Sequence, residues 1–290
     1  MSGEPRGLTR QELRQFPLPA FGDGGKTEHG RLVVVAGSRY TPGSAFLSAT
    51  AALRSGVGQV TVIIVESSAS ALSMRIPEAK VVPVAEAPDG GFTPDVTDCM
   101  SEHVKSCTGV VAGPGIVENE AATDLARTLL ELPVPAIIDA GLLYSVQRFE
   151  KECRGREAPA ILLPHKVEME ALLGCTVDEA EQDGLGSARQ ASDRFKALVL
   201  AKGAVSHIAA PDGRSWTYDG GAPGLGIAGS GDTLAGITGA LLARGAEPLT
   251  ALLWGVLLHG EAGEMLSAKV GPAGFLAREL ADEIPALLAR

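Results

Sequence analysis

Aromatic residues are scarce in this sequence, at 4% of 290 residues, and long apolar runs are absent. Because 45% of the residues are hydrophobic, we expect a large core built mainly from Val, Leu, Ile and Ala. No segment approaches the ~18 consecutive apolar residues that a membrane-spanning helix requires. The polar N-terminus, MSGEPRGLTRQELRQF, also lacks the apolar stretch of a secretory signal. These absences predict a cytoplasmic protein with no membrane partner.

Positive charge and cysteine are also in short supply. The chain has 25 Lys and Arg against 35 Asp and Glu, a formal net charge of −10. A nucleic-acid binder normally presents a basic surface, so no nucleic-acid partner is expected. A single anionic nucleotide is compatible with this charge, because converging backbone N–H groups bind phosphate even in an acidic protein. The cysteines lack CxxC spacing, which predicts reduced thiols rather than a disulfide framework or a metal site, at Cys99, Cys107, Cys153 and Cys175.

Apolar strands alternate with helical segments from residue 30 onward. Residues 31–36 are apolar on successive positions, a pattern typical of a strand that is buried on both faces of a parallel sheet, and Gln59–Val65 is predicted to be a second buried strand. One antiparallel hairpin is expected over residues 207–218. The alternation predicts a single α/β domain over residues 30–290, with a mostly parallel central sheet and helices on both faces. The polar residues 1–29 are predicted to be a weakly ordered lead-in.

Glycine-rich loops follow several of the predicted strands. In parallel sheets ligands bind beyond the carboxyl ends of the strands, so these loops are candidate sites. Three of them, residues 36–43, 113–115 and 163–168, are also compatible with plain turns or helix caps. Within the third loop, Glu168 lies at a helix start, where a carboxylate is favourable, and His165 is either a surface residue or a ligand contact.

The fourth loop, Gly229-Ser230-Gly231-Asp232, gives the strongest signal because it opens a predicted helix. Glycines let backbone N–H groups converge on an anion, and the helix dipole favours negative charge at that end. An Asp in the first turn also stabilises a helix by about 0.3–1 kcal/mol, but that role does not require Gly-Ser-Gly before it. A carboxylate beside bound phosphate can remove a proton from an attacking hydroxyl. The motif therefore predicts a phosphoryl-transfer centre with Asp232 as the base.

Two further polar residues are weighed as functional candidates. Lys202, followed by Gly203, comes directly after an apolar strand and brings a cation to the carboxyl edge of the sheet. His259 lies in the middle of a predicted helix. For His259 a packed contact between helices is favoured over a catalytic role.

Together these motifs resemble the ADP- or ATP-dependent NAD(P)H-hydrate dehydratase family, a branch of the ribokinase-like superfamily. The resemblance extends from about Gly30 to the C-terminus. The Gly-Ser-Gly-Asp motif is shared with sugar and vitamin kinases, so the order and combination of the other motifs favour the dehydratase. The matching segments are residues 36–38 with 43–44, 113–115, 163–168, 201–203, 228–236 and 258–263.

The resemblance implies a ribokinase-like fold and a reaction that uses ADP or ATP with Mg²⁺. Its substrate would be hydrated NADH or NADPH, whose hydroxyl is phosphorylated before phosphate is eliminated. Asp232 would be the base, and the hydrated dinucleotide would contact Ser44, Gly115, His165 and Asp232. The adenine nucleotide would contact Lys202, Gly203, Ala204, Val205 and Ser206, with Gly229, Ser230 and Gly231 around the transferred phosphoryl group.

The resemblance also implies partners. We expect a separate NAD(P)H-hydrate epimerase that acts on the same substrate, and a homo-oligomer. No cluster of protein metal ligands is present in the sequence, so Mg²⁺ would bind mainly through phosphate oxygens.

The chain departs from the family pattern at several positions. Gly141 stands where the family has a second aspartate, Lys166 and Val167 replace Pro-Gly, Ser44 replaces alanine and Ala228 replaces glycine. These departures leave the base and the phosphate loop intact, but they bear on substrate preference. Two alternatives therefore stay open: a sugar- or vitamin-type kinase of the same fold, and a non-catalytic nucleotide-binding paralogue.

Overall fold

The predicted α/β architecture is confirmed in a computed structural model that describes residues 3–22 and 25–290. Strands alternate with helices through most of the chain. The strands are β1 (Arg6–Gly7), β2 (Arg31–Val35), β3 (Gln59–Val65), β4 (Lys80–Val84), β5 (Gly109–Ala112), β6 (Ala136–Ile138), β7 (Ile161–Leu162), β8 (Leu198–Ala201), β9 (Ser206–Ala209) and β10 (Ser215–Tyr218). The helices are α1 (Pro42–Arg54), α2 (Glu66–Arg75), α3 (Asp95–Val104), α4 (Glu120–Glu131), α5 (Leu143–Val146), α6 (Glu150–Arg154), α7 (Lys166–Leu173), α8 (Val177–Gln182), α9 (Gly184–Phe195), α10 (Ser230–Ala243), α11 (Pro248–Lys269) and α12 (Ala277–Leu288).

The strands of the described residues form one sheet in the order β1-β10-β9-β8-β7-β6-β5-β2-β3-β4. Strands β2 to β8 pair in parallel, whereas β9 runs antiparallel to β8 and β10, as the predicted hairpin requires. The chain extends the sheet in one direction from β2 and in the opposite direction from β5. Such a reversal opens a crevice beyond the carboxyl ends of the two adjacent strands. The loops after β2 and β5 therefore flank the expected binding site.

The helices form two groups that pack mainly among themselves. Helices α1, α10, α11 and α12 contact one another, and α1 and α10 also contact the central strands. Helices α3, α4, α5, α7 and α9 form a second connected series against the same sheet. This division is expected of helices that cover opposite faces. The strands between them are buried on both faces, which explains their continuous apolar runs.

The N-terminal segment, residues 1–29, was expected to be weakly ordered. Its described residues instead pack closely against the domain. Strand β1 pairs in parallel with β10, and the side chains of Leu8 and Leu13 are buried. The Trp254 indole donates a hydrogen bond to the Phe16 carbonyl at 2.7 Å. Burial of these apolar side chains fixes the segment on the domain, a contribution that the polar composition concealed. Residues 1, 2, 23 and 24 of this lead-in lie outside the described residues.

The cysteines and the helices bear on two further expectations. All four cysteine side chains are free thiols, and Cys153 is buried. In the part of the chain that the structure describes, we find no helix with both the length and the apolar character that crossing a membrane demands.

Candidate active site

The glycine-rich loop before α10 has the geometry of an anion site. Helix α10 begins at Ser230, and Gly229 adopts a left-handed conformation with φ +88° at the N-cap. A Cβ atom on Gly229 would lie 2.4 Å from Leu47 Cδ1, so only glycine fits. No side chain caps this helix. The Ser230 N–H donates to the Ile227 carbonyl, so the N–H groups of Gly231 and Asp232 are the ones available to an anion, which the helix dipole also favours.

The carboxylate of Asp232 lies in the first turn of α10, half-buried beside this loop. Burial raises its pKa, and the nearby charge of Asp139 raises it further. The nearby Ser44 hydroxyl and the charge of Lys202 lower the pKa of Asp232 but do not cancel these effects. A raised pKa makes the carboxylate a stronger base, which suits a residue that accepts a proton from a hydroxyl.

Ser44 and Gly115 meet at the crevice between the ends of β2 and β5. Gly115 has φ +67°, and a Cβ atom there would lie 2.7 Å from Ser44 Oγ. The Thr41 hydroxyl donates to the Gly115 carbonyl at 2.8 Å and fixes this approach. Because Ser44 also lies close enough to Asp232 to lower its pKa, the three predicted substrate residues Ser44, Gly115 and Asp232 form one cluster.

A buried ion network lies on the other side of Asp232. The Lys202 ammonium donates to Asp139 Oδ1 at 2.6 Å and lies 3.7 Å from Glu168 Oε2. Burial by itself would lower the pKa of Lys202, but the two carboxylates raise it, so the ammonium stays charged. A Cβ atom on Gly231 would lie 3.5 Å from Lys202 Nζ. The network therefore places a fixed positive charge next to the phosphate loop.

His165 is the N-cap of α7, which confirms the capping interpretation. Its Nδ1 accepts hydrogen bonds from the N–H groups of Val167 and Glu168, at 3.2 and 3.1 Å. Glu168 Oε2 in turn accepts from the His165 N–H at 2.8 Å, which completes a capping box. With Nδ1 acting as acceptor, the proton of a neutral ring is on Nε2. The ring also lines two cavities, and its Nε2 lies 3.4 Å from Glu168 Oε1.

A cavity of about 820 Å³ extends from the phosphate loop toward β8 and β9. This volume is within the range of sites that bind cofactor-sized ligands, roughly 300–1,000 Å³. Val205 is 41% exposed and lines a neighbouring cavity of about 360 Å³ instead. The predicted nucleotide contacts that line the large cavity are Lys202, Gly203, Ala204, Ser206, Ser230 and Gly231.

Sequence reasoning missed two residues of this site. Asp139 is the main partner of Lys202. Its only sequence signal was its place in a family motif whose second aspartate is replaced here by Gly141. His259 makes the expected contact between helices, since its Nε2 on α11 lies 2.9 Å from Ser230 Oγ on α10, but its ring also lines the large cavity. The only sequence signal for His259 was its place in a family-like motif.

Steric crowding explains why position 141 is a glycine in this chain. A Cβ atom on Gly141 would lie 2.2 Å from the Ile116 carbonyl oxygen, so the loop after β5 occupies the space that an aspartate would need. The neighbouring Ala140 has φ +47°, and its N–H donates to Asp139 Oδ1 at 2.9 Å. This tight turn orients the remaining carboxylate toward Lys202.

Comparison with known proteins agrees with this geometry. A family model described as NAD(P)H-hydrate dehydratase matches residues 32–286. The chain is 37% identical over 286 residues to an ADP-dependent (S)-NAD(P)H-hydrate dehydratase of Xanthomonas campestris, with 98% of this chain and 96% of that protein covered. It is 35% identical to a bifunctional NAD(P)H-hydrate repair enzyme of Moorella thermoacetica. That match covers 91% of this chain but only 50% of the bifunctional enzyme, so the chain spans about half of that relative.

Solved structures show the same fold. The ADP/ATP-dependent NAD(P)H-hydrate dehydratase from Bacillus subtilis, co-crystallised with ATP and Mg²⁺, matches with a TM-score of 0.85 at 27% identity. The match covers 99% of this chain and 98% of that one. A ribokinase-like superfamily protein from Enterococcus faecalis matches with a TM-score of 0.83 at 24% identity, over 98% of this chain and 95% of that one. These likenesses confirm the predicted ribokinase-like fold.

Proposed function

Because this chain belongs to the NAD(P)H-hydrate dehydratase family, we propose that it uses ADP or ATP to return hydrated NADH or NADPH to the normal cofactor. The observation that carries the proposal is the position of Asp232. Its carboxylate has Ser44 on one side and the uncapped start of α10 on the other. A hydroxyl and a phosphate that occupy these two places would meet at the base.

The first chemical step would be phosphoryl transfer. Asp232 accepts the proton of the substrate hydroxyl while its oxygen forms a bond to the terminal phosphorus. The bond from that phosphorus to the nucleotide breaks, and ATP leaves as ADP, or ADP as AMP. Lys202 and the N–H groups of Gly231 and its neighbours stabilise the negative charge, which is most of what such transfer requires.

The second step would be elimination. The carbon–oxygen bond to the new phosphate ester breaks, and phosphate leaves with the bonding electrons. The adjacent ring carbon loses a proton, and the double bond of the reduced nicotinamide is restored. Hydroxide is a poor leaving group, whereas phosphate is a good one. This difference explains why a nucleotide is consumed.

Mg²⁺ would enter this site with the nucleotide. The described residues contain no group of three or more His, Cys, Asp or Glu side chains suited to hold a metal ion. This donor set fits an ion that binds mainly through phosphate oxygens and water, and Asp139 Oδ2 lies 3.9 Å from the place that a Cβ atom on Gly231 would take. When bound, the ion would neutralise charge on the transferred phosphoryl group.

The residue assignments follow from this arrangement. Ser44, Gly115 and Asp232 would face the hydrated nicotinamide, and the His165 ring would contact it from the cavity wall. The adenine nucleotide would occupy the large cavity along residues 202–206, with its phosphates at residues 229–231. A separate epimerase that acts on the same hydrate, a homo-oligomeric state and a cytoplasmic location stay predictions.

The direct test is to incubate the protein with hydrated NADH, Mg²⁺ and either ADP or ATP. We expect the absorbance of reduced nicotinamide to return in step with the release of inorganic phosphate. NADH and phosphate should appear in equal amounts. A stable phosphorylated product without NADH would instead identify a kinase, and no turnover with either nucleotide would refute the proposal. Hydrated NADPH in parallel reactions measures the substrate preference.

A further inference from the structure

His259 is a polar residue in an apolar helix, and its position is fixed closely. A Cβ atom on Gly255 would lie 2.1 Å from Thr238 Oγ1, so α11 packs directly against α10 at this level. One turn further along, Gly260 packs in the same way against Tyr218. The imidazole between these contacts lines the large cavity. Its Nε2 lies 2.9 Å from the hydroxyl of Ser230, the first residue of α10.

The charge state of His259 decides what this hydrogen bond can do. Burial lowers the pKa of the imidazole to about 4, so the ring is neutral at physiological pH. A neutral ring has one nitrogen that donates and one that accepts. If Nε2 donates to Ser230 Oγ, the hydroxyl proton is free to point elsewhere. The hydroxyl is buried with its residue at the start of α10, where an anion would be its natural acceptor.

We propose that His259 is a positioning residue that holds the Ser230 hydroxyl so that it donates to the nucleotide phosphate at the start of α10. This inference rests on the proposed function, because it assumes that phosphate binds at that loop. His259 itself would not touch the reacting atoms. The oriented Ser230 hydroxyl would add one side-chain donor to the backbone N–H groups. Without that donor the N–H groups would still bind the phosphate, but with lower affinity.

A mutant cycle tests the proposal. We would measure the affinity of ADP by calorimetry for the wild type, H259A, S230A and the double variant. Hydrogen bonds to charged groups are worth about 1.5–3 kcal/mol, so each single variant should bind ADP about 10-fold or more weakly. Because both changes remove the same hydrogen bond, the double variant should bind within about 2-fold of S230A. The variant H259Q, whose amide can donate from a similar position, should recover part of the loss.

Adenosine is the matched ligand control, since it lacks phosphate. Its affinity should change less than about 2-fold in H259A if the ring acts through Ser230. An equal loss for adenosine and ADP would make His259 only a wall of the cavity, and that result overturns the proposal. Additive losses in the double variant, or an S230A variant that binds ADP normally, would overturn it as well.

Two further arms keep the test interpretable. Should H259A fail to fold, H259F takes its place in the cycle, because its ring fills the space without hydrogen-bonding. A wild-type protein that binds neither ADP nor ATP would refute the proposed function. Normal wild-type binding with additive losses would refute only the role of His259.

Discussion

Replacing Asp232 by Asn separates catalysis from helix stabilisation. The change keeps the shape of the side chain and an oxygen that can accept from Ser44, and it removes the negative charge and the basicity. A general base typically contributes ~10²–10⁴-fold to the rate. We therefore expect turnover of the hydrate to fall at least 100-fold, while the affinity for ADP or ATP is retained.

The effect of the same substitution on stability should be small, for a reason that the structure supplies. An aspartate in the first turn stabilises a helix by about 0.3–1 kcal/mol through the dipole. Burial, however, raises the pKa of Asp232 in the folded state, so the ionised carboxylate costs folding free energy at pH values above that pKa. Asn removes both contributions, and they have opposite signs. The melting temperature at neutral pH should therefore change by only a few degrees.

Three measurements on purified D232N check this reasoning: dehydration rate by nicotinamide absorbance, nucleotide affinity by calorimetry, and thermal unfolding. The wild type and a D232E variant serve as controls, since Glu keeps the charge but displaces it. A residual rate above about a tenth of the wild type would contradict the role as base. A large loss of stability with normal specific activity would instead make Asp232 a structural residue.

Three further predictions concern its neighbours. Ser44→Ala removes a hydroxyl that lowers the pKa of Asp232. Because activity requires the ionised base, the acidic limb of the pH profile of kcat/KM should move to higher pH, and an unmoved limb would contradict this effect of Ser44. Gly231→Val places a branched side chain at the phosphate loop, where even a Cβ atom would lie 3.5 Å from Lys202 Nζ. Calorimetry should therefore show weaker ADP binding with the fold intact, and unchanged affinity would refute the phosphate site. His165→Ala should raise the KM for the hydrated dinucleotide more than it changes nucleotide affinity, and loss of the N-cap should reduce unfolding free energy by about 1 kcal/mol. If only stability falls, His165 is a cap and nothing more.

The sequence by itself determined the features that depend on short-range patterns. The mostly apolar segment Gln59–Val65 predicted β3 to the residue, because side chains buried on both faces leave a local signature. The phosphate loop was equally readable, since a left-handed N-cap at Gly229 requires glycine at that position. The family motifs, which are contiguous stretches, were found for the same reason.

Only the tertiary structure decided which distant residues meet. Lys202 pairs with Asp139 across 63 residues, and neither residue's local sequence specifies the other. His259 contacts Ser230 because two close-packed helices bring them together. The sequence indicated the contact between helices, but only the packing shows that the His259 ring also lines the cavity. The N-terminal strand β1 likewise pairs with β10, which is distant from it in the sequence. Local sequence sets the conformation of each segment, whereas contacts between segments depend on how the whole core packs.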